Sequence, residues 1–315
     1  MKLSALRDFV AVCQCGSLRA AARQVGVTQP AITRSIQELE RELGAPLLER
    51  RSQGVRPTAV GEAFLRRASA VGNELERARQ EVAQLTGLHS GDLAVGMSGV
   101  PQITLLPDAL QSFRARYPRV KINVVDAPYH RIQSELVVGS MDVYVGPAPR
   151  VLSGELVAER LFDHERVVIG RRGHPMRHAR SLRELVHCEW LAGCSMQNGD
   201  DDITALFLSH GLPAPRIAMQ AHAALTYLLG IANTDLLMMV PTYWARFPMW
   251  RETIEVIEVG EALRSRQICL VHNPAMPLTP AADYFCDMLR RVAGRMPRHP
   301  RPPAVACAPF DSVEA

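Results

Sequence analysis

The chain has 315 residues, 22% of them charged, and a formal net charge of only +4, a length that allows more than one core and more than one domain. Its seven cysteines are odd in number and scattered, which excludes a secreted disulfide framework. No uncharged stretch reaches the roughly 20 apolar residues of a membrane helix, and no signal-peptide core opens the sequence. A cytoplasmic protein with reduced thiols is expected.

The charge is uneven: residues 1–67 hold eleven Lys or Arg against six Asp or Glu, and the rest of the chain nets −1. A basic N-terminus of this kind suits phosphate contacts. The first predicted helix carries Leu3, Leu6, Phe9, Val10 and Cys13. The second carries Leu18, Ala21, Ala22 and Val25, and a third repeats Ile32, Ile36, Leu39 and Leu43 at three- and four-residue spacing. The three stripes can close one small core. Ser17 and Thr28 stand where N-caps are wanted, with Pro30 in the first turn after Thr28. The outward residues of the third helix, Gln29, Thr33, Arg34 and Gln37, are donors and acceptors able to reach base edges from a helix in the major groove. Arg50, Arg51 and Arg56 flank the turn-forming Ser52-Gln53-Gly54, so a basic β-hairpin wing with phosphate or minor-groove contacts is expected.

The segment SLRAAARQVGVTQPAITRSIQELERELGAPLLER, residues 17–50, resembles the N-terminal pattern of the LysR-type transcriptional regulator family. Together with the segments below, the likeness covers about 295 residues. It implies that Gln29, Pro30, Ala31, Thr33 and Arg34 are DNA-facing positions of the recognition helix and that Arg50 is a wing-supporting basic position. This chain departs from the pattern at Gln53, where many members carry arginine, and at Leu48, where many carry phenylalanine.

After Thr58 one long helix is predicted to about Gly87. Phe64, Ala68, Val71, Leu75, Ala78, Val82 and Leu85 form a three-heptad seam among flanking charges that include Arg77. A helix buried on its own domain could carry the same stripe, but the narrow seam favours dimerisation. In the resembling family this helix pairs subunits so that two DNA-binding units reach successive half-sites, and tetramers are common.

From Asp92 the pattern changes to short apolar runs between helical segments, the sign of an α/β domain. Residues 93–97, 120–125, 141–145, 166–170, 216–219, 236–240 and 267–272 read as strands buried on both faces. The expected fold is therefore α/β with an all-α-rich winged helix-turn-helix at residues 1–58, a linker and dimerisation helix at 59–88, and an effector domain at 91–295. By resemblance that domain is two-lobed and like the periplasmic binding proteins. Lobe I would comprise 91–162 and 268–295, lobe II 163–267, with crossovers near Asp163 and Leu263 forming a hinge. The proline-rich residues 296–315 read as an extended or disordered tail, in which Arg298 and Arg301 are more simply solvated than bound to DNA.

Ligands in open α/β sheets bind beyond the carboxyl ends of strands, which directs attention to Ser98-Gly99-Val100-Pro101-Gln102 and to residues 194–199. Amides at helix starts, with Ser98, Ser195, Gln197 and Asn198, suit a small carboxylate or sulfonate. Tyr129, Val100, Met196, Pro147 and Ala223-Ala224 could add an apolar wall for an aromatic or alicyclic body. Gly96-Met97-Ser98-Gly99-Val100 and Gly193-Cys194-Ser195-Met196-Gln197 both miss the last glycine of a nucleophile elbow. Neither a dinucleotide, Walker, zinc-protease nor paired C-x-x-C motif is present, so no enzyme, metal or cofactor is expected. Cys194 adjoins the second loop, where a small apolar role is the simpler account. The sequence thus reads as a cytoplasmic, effector-responsive transcriptional regulator, with activation the commoner outcome in the family. Its implied partners are promoter DNA, a small molecule, further copies of the chain as a homotetramer, and RNA polymerase, but no membrane. An architectural DNA binder without ligand and a DNA-tethered enzyme are the rival readings.

Overall fold

The computed structural model describes residues 1–296, except for 52–53, 148, 150, 194–202, 222, 246 and 264–266, and describes the backbone but not the side chain of Arg50 and Met249. Three helices open the chain: α1 (Leu3–Cys15), α2 (Leu18–Val25) and α3 (Gln29–Leu43). The caps read from the sequence are in place. Ser17 Oγ accepts from Ala20 N at 3.4 Å, and Thr28 Oγ1 accepts from Ala31 N at 3.4 Å. Phe9, Val12, Ala21, Ile32, Ile36 and Leu39 bury their side chains in one core, closed by Leu47. A hairpin of β1 (Leu48–Arg51) and β2 (Gly54–Pro57) follows. Gly54 has φ +125°, and a Cβ there would stand 2.5 Å from the Gly16 carbonyl oxygen, so only glycine lets the hairpin approach the α1–α2 turn.

The helix α4 (Ala59–Leu85) begins at Thr58, whose hydroxyl accepts from Gly61 N at 3.0 Å and donates to Pro46 O at 2.8 Å. The seam expected along this helix divides. Phe64 packs against the N-terminal core and Ala68 is buried in it, whereas Val71, Leu75, Val82 and Leu85 are exposed. The first two positions are therefore part of the chain's own core. Arg77, read as a flanking charge, is buried on the opposite side of the helix: its guanidinium pairs with Asp142 at 2.9 Å and donates to the Met276 and Gly139 carbonyls at 3.3 Å each. Asn73 Nδ2 donates to Val138 O at 2.7 Å, and Gln84 Oε1 accepts from Ala281 N at 2.9 Å. Polar side chains thus dock α4 onto the domain that follows it.

That domain begins with β3 (Ser90–Met97), α5 (Gly99–Thr104), α6 (Leu106–Arg116), β4 (Arg119–Asp126), α7 (Tyr129–Val138), β5 (Val143–Pro147) and β6 (Val157–Phe162). There follow β7 (Arg166–Arg171), β8 (Glu189–Ala192), α8 (Ile203–Ser209), β9 (Arg216–Gln220), α9 (Ala224–Asn233), β10 (Met238–Pro241), α10 (Thr242–Ala245) and β11 (Ile254–Ile257). The last pair is β12 (Ile268–His272) and α11 (Pro280–Ala293). One sheet runs β4-β3-β5-β12-β6, with β12 returning late in the chain to pair antiparallel with both β5 and β6. A second set comprises β10-β7-β11 and the parallel pair β8-β9, joined by a bridge between Trp190 and Leu237. Each sheet has its own core, one around Phe113 and Phe285 and another around Trp190 and Phe207.

Strands buried on both faces were expected throughout, and β4 and β9 are not. As outer strands of their sheets they alternate with solvent, for instance at Arg119 and Lys121. The strands β6, β8 and β11 had no counterpart in the sequence reading. β6 carries Glu159 and Arg160 on an edge, and the other two span four residues each. The two chain crossings between the sheets lie side by side, with Arg166 N donating to Leu263 O at 2.9 Å.

Candidate nucleic-acid interface and ligand cavity

On α3 the buried Ile32, Ile36 and Leu39 fix one face against the core, leaving Gln29, Pro30, Ala31, Arg34 and Gln37 exposed on the other. Thr33 is half-buried and its hydroxyl donates to Gln29 O at 2.8 Å, so its proton is engaged and its oxygen is left as an acceptor. In the hairpin, Glu49 lies opposite Arg56, and Arg50 lies opposite Val55. The exposed Arg51 ion-pairs with Glu49 at 2.6 Å. Glu49 therefore offsets part of the positive charge that the arginines bring to the wing. The side chain of Arg50 lies outside the described residues.

Two supports of this unit carry no local sequence signal. Glu40 Oε1, on α3, accepts from Leu47 N at 2.8 Å and Leu48 N at 3.1 Å, tying the recognition helix to the start of the wing. Gly61 sits so close to Leu47 that an added Cβ would stand 2.0 Å from the Leu47 carbonyl oxygen. Both depend on contacts formed only once the chain has turned back on itself.

Between the two sheets lies a cavity of about 280 Å³, near the lower end of the usual range for small-molecule sites. Six of the sequence candidates line it: Ser98, Gly99, Val100, Tyr129, Pro147 and Ala224. Pro101 is buried on α5 but outside the cavity walls. Ala223 does not line the cavity. Ser195, Met196, Gln197 and Asn198 lie outside the described residues, as do Cys194, Arg298 and Arg301.

The Ser98 amide is engaged by Val145 O at 3.0 Å, which removes one of the donors expected of this loop. Ser98 Oγ, by contrast, is buried with no hydrogen-bond partner among the described residues, an arrangement that leaves a polar atom to be satisfied from the cavity. Burial pushes the Tyr129 phenol above its ordinary pKa, against a smaller downward pull from the Ser153 backbone, so the hydroxyl stays protonated. Arg131, Arg166, His130 and His164 contribute to the lining alongside one carboxylate, Asp126. Aromatic walls come from Tyr129 and Tyr144 on one side, with ring centroids 5.7 Å apart, and from Tyr227 and Trp244 on the other at 6.1 Å. Trp244 also reaches across to the first lobe, where a Cβ at Gly99 would stand 2.5 Å from its ring. Tyr227 and Trp244 escaped the sequence reading, since neither stands in a motif and they reach the cavity only through the packing of α9 and α10.

Among the described residues no cluster of three or more His, Cys, Asp or Glu could hold a metal ion. No described helix is long and apolar enough to cross a membrane. Burial raises the Cys13 thiol to about 11 and the Cys286 thiol to about 12, so neither supplies a thiolate near neutrality.

Residues 3–62 match the helix-turn-helix family described as bacterial regulatory helix-turn-helix protein, lysR family, and residues 86–294 match the LysR substrate binding domain. The HTH-type transcriptional regulator GalR of Pseudomonas putida is 27% identical over 290 residues, covering 91% of this chain and 73% of that protein. In fold the chain is similar to a full-length OxyR variant from Pseudomonas aeruginosa, with a TM-score of 0.71 and 20% identity over 96% of this chain and 99% of the other. It is also similar to full-length CbnR in complex with its target DNA, with a TM-score of 0.52 and 26% identity over 93% of this chain and all of that one. The matched proteins are transcriptional regulators rather than enzymes. With its helix-turn-helix unit, linker helix and two-sheet ligand domain in the same order and nearly the same extent, the chain belongs to the LysR family of transcriptional regulators.

Proposed function

We propose that the protein regulates a promoter as a dimer of dimers and that a small organic anion in the cavity between its lobes sets its activity, with activation the favoured sign. The lobes are residues 91–162 with 268–295, and 163–267. The observation that carries this reading is the cavity itself. Among the described residues it combines a buried hydroxyl at Ser98 without a hydrogen-bond partner, a preponderance of Arg and His over carboxylates, and walls of tyrosine and tryptophan. Such a lining fits a carboxylate or sulfonate with an aromatic or alicyclic body. The exposed outer face of α3, with Gln29, Pro30, Ala31, Thr33, Arg34 and Gln37, enters the major groove, and Arg50, Arg51 and Arg56 approach phosphates or the minor groove. The likeness to CbnR on DNA supports that assignment. The exposed Val71, Leu75, Val82 and Leu85 support pairing through α4. RNA polymerase is the further partner that an activator requires.

A ligand can shift the regulator only by binding one arrangement of the lobes more tightly than another. The test is a thermal-shift screen of the purified protein against small carboxylates, sulfonates, aromatic acids and sugars, each hit being retested for its effect on the DNA footprint. An acid that raises Tm and alters the footprint is the expected result. Hits confined to sugars would overturn the anion assignment. Firm DNA binding with no ligand-dependent shift would favour an architectural role.

A further inference from the structure

The main cavity has a neighbour. Behind it, within the second lobe, is a smaller chamber of about 20 Å³. Tyr227, Met238, Val240 and Trp244 line both spaces, so one partition of four side chains separates them. Beyond the partition the chamber is closed by Leu228, Ile231, Trp250 and strand residues of β7 and β11. Its walls present carbon almost throughout. The Tyr227 hydroxyl points its proton elsewhere, at Ala221 O 3.3 Å away, and the Trp244 and Trp250 rings stack with centroids 6.1 Å apart and planes 14° from parallel.

A space of this size and lining has a definite chemical preference. About one water would fit by volume, but a water needs two or more polar partners to be held, and an apolar void of this kind stays dry. A hydrocarbon group loses nothing by entering it and restores contacts that the lining lacks. The shared partition stands on the side of the cleft walled by Tyr227 and Trp244, so a rotation of these side chains would join the two spaces.

We infer that the chamber is a specificity subsite for the apolar end of the effector, so that the physiological ligand is an amphiphilic organic acid whose far end is an unsubstituted, methyl-sized alkyl group. The inference rests on the anion reading of the main cavity for the acid group, and on the chamber alone for the terminus. Acids ending in an amino or second carboxyl group are rejected, because no charged side chain lines the chamber to pair with the second charge.

The experiment uses the full-length protein and two homologous probe series, unbranched alkanoates from acetate to octanoate and the matching 1-alkanols. Binding is followed by thermal shift and by tryptophan emission. Trp190 is fully buried in a separate core, so emission changes report Trp244 and Trp250. Leu228→Phe fills the chamber and Leu228→Ala enlarges it. Leu228 is half-buried and outside the walls of the main cavity, so both changes leave the first site intact.

The expected result is that alkanoate affinity rises about fourfold at the chain length whose terminal carbon enters the chamber and then levels off. Leu228→Phe abolishes the rise without weakening the shortest acids that bind, and Leu228→Ala moves the plateau to a longer chain. If alkanols show the same length dependence and the acids bind no better, the chamber stands and the anion reading of the main cavity falls. Acids that bind with affinity independent of length, or with a length dependence that Leu228→Phe leaves unchanged, overturn the chamber alone. Absence of binding by either series overturns both.

Discussion

Arg77 and Asp142 show how a single pair can decide the state of a whole junction. Their side chains are 10% and 13% exposed, and the guanidinium satisfies a carboxylate and two carbonyls at once. A buried pair of this kind adds little net stability over apolar residues of the same volume, but removing one partner strands the other charge, at a cost of about 3–5 kcal/mol. Asp142→Ala is accordingly expected to lower Tm by several degrees, and Arg77→Met together with Asp142→Leu to recover most of the loss, as read by calorimetry. Asp142 also makes a pH prediction. Burial raises its pKa in the folded chain, and the Ala94 amide and Arg77 only partly oppose this. The folded state therefore holds the proton at pH values where the unfolded chain has released it. Stability from this group is greatest below the ordinary carboxylate pKa and declines as pH rises through the interval up to the raised value. Asp142→Asn, which cannot titrate, should remove that decline from the Tm–pH profile; an unchanged profile would refute the assignment. None of this was legible in the sequence, where Arg77 looks like one charge among the eight on the helix.

At the scale of elements, α4 shows where sequence periodicity is sufficient and where it stops. The seven-residue spacing identified the helix and its stripe, because apolar spacing is a local property. It could not say which part of the stripe the chain keeps for itself. Phe64 and Ala68 are taken by the N-terminal core, whose other members lie up to about sixty positions earlier, while Leu75 and Val82 remain outside. The polar docking by Asn73, Arg77 and Gln84 inverts the rule that polar faces look to water, and its partners come from residues as distant as Ala281. Short and polar strands were lost for a similar reason: β6, β8 and β11 are strands because of the neighbours they pair with. Two variants test the division of α4. Leu75→Glu with Val82→Glu should leave the fold intact, with unchanged circular dichroism, yet shift the mass seen in analytical ultracentrifugation toward the monomer. Gly61→Ala should act on the other half of the helix. With Leu47 O in the way of a methyl group, the helix start must move, costing about 1–3 kcal/mol; DNA affinity should fall in gel-shift titrations while ligand-induced Tm shifts persist.

For the whole molecule, the sequence located the first cavity loop through a general property of α/β sheets, and Ser98, Gly99, Val100, Tyr129 and Pro147 do face a common space. Of the second wall the sequence reading named Ala224 but missed Tyr227 and Trp244, which arrive from helices whose packing no periodicity encodes. Their meeting with Gly99 makes a further expectation. Gly99→Val would drive its side chain into the Trp244 ring, holding the lobes apart. Effector affinity measured by thermal shift should then drop at least tenfold, while DNA affinity without effector stays near that of the unmodified protein. Equal effector binding in the variant would mean that the lobes close by some other contact.

The docking of α4 has a mechanical corollary. From Asn73 onward the helix is fastened to the first lobe, and at Phe64 and Ala68 it is fastened to the helix-turn-helix core. The part between the first lobe and Ala59 extends for about 21 Å at the α-helical rise. It acts as the arm of a lever whose fulcrum is Asn73. A tilt of about 10° at the lobe swings the far end by about 3.6 Å, close to the rise of one base pair. A rotation too small to disturb the packing of either lobe is thus large enough, at the DNA, to move a recognition helix from one base-pair step to the next.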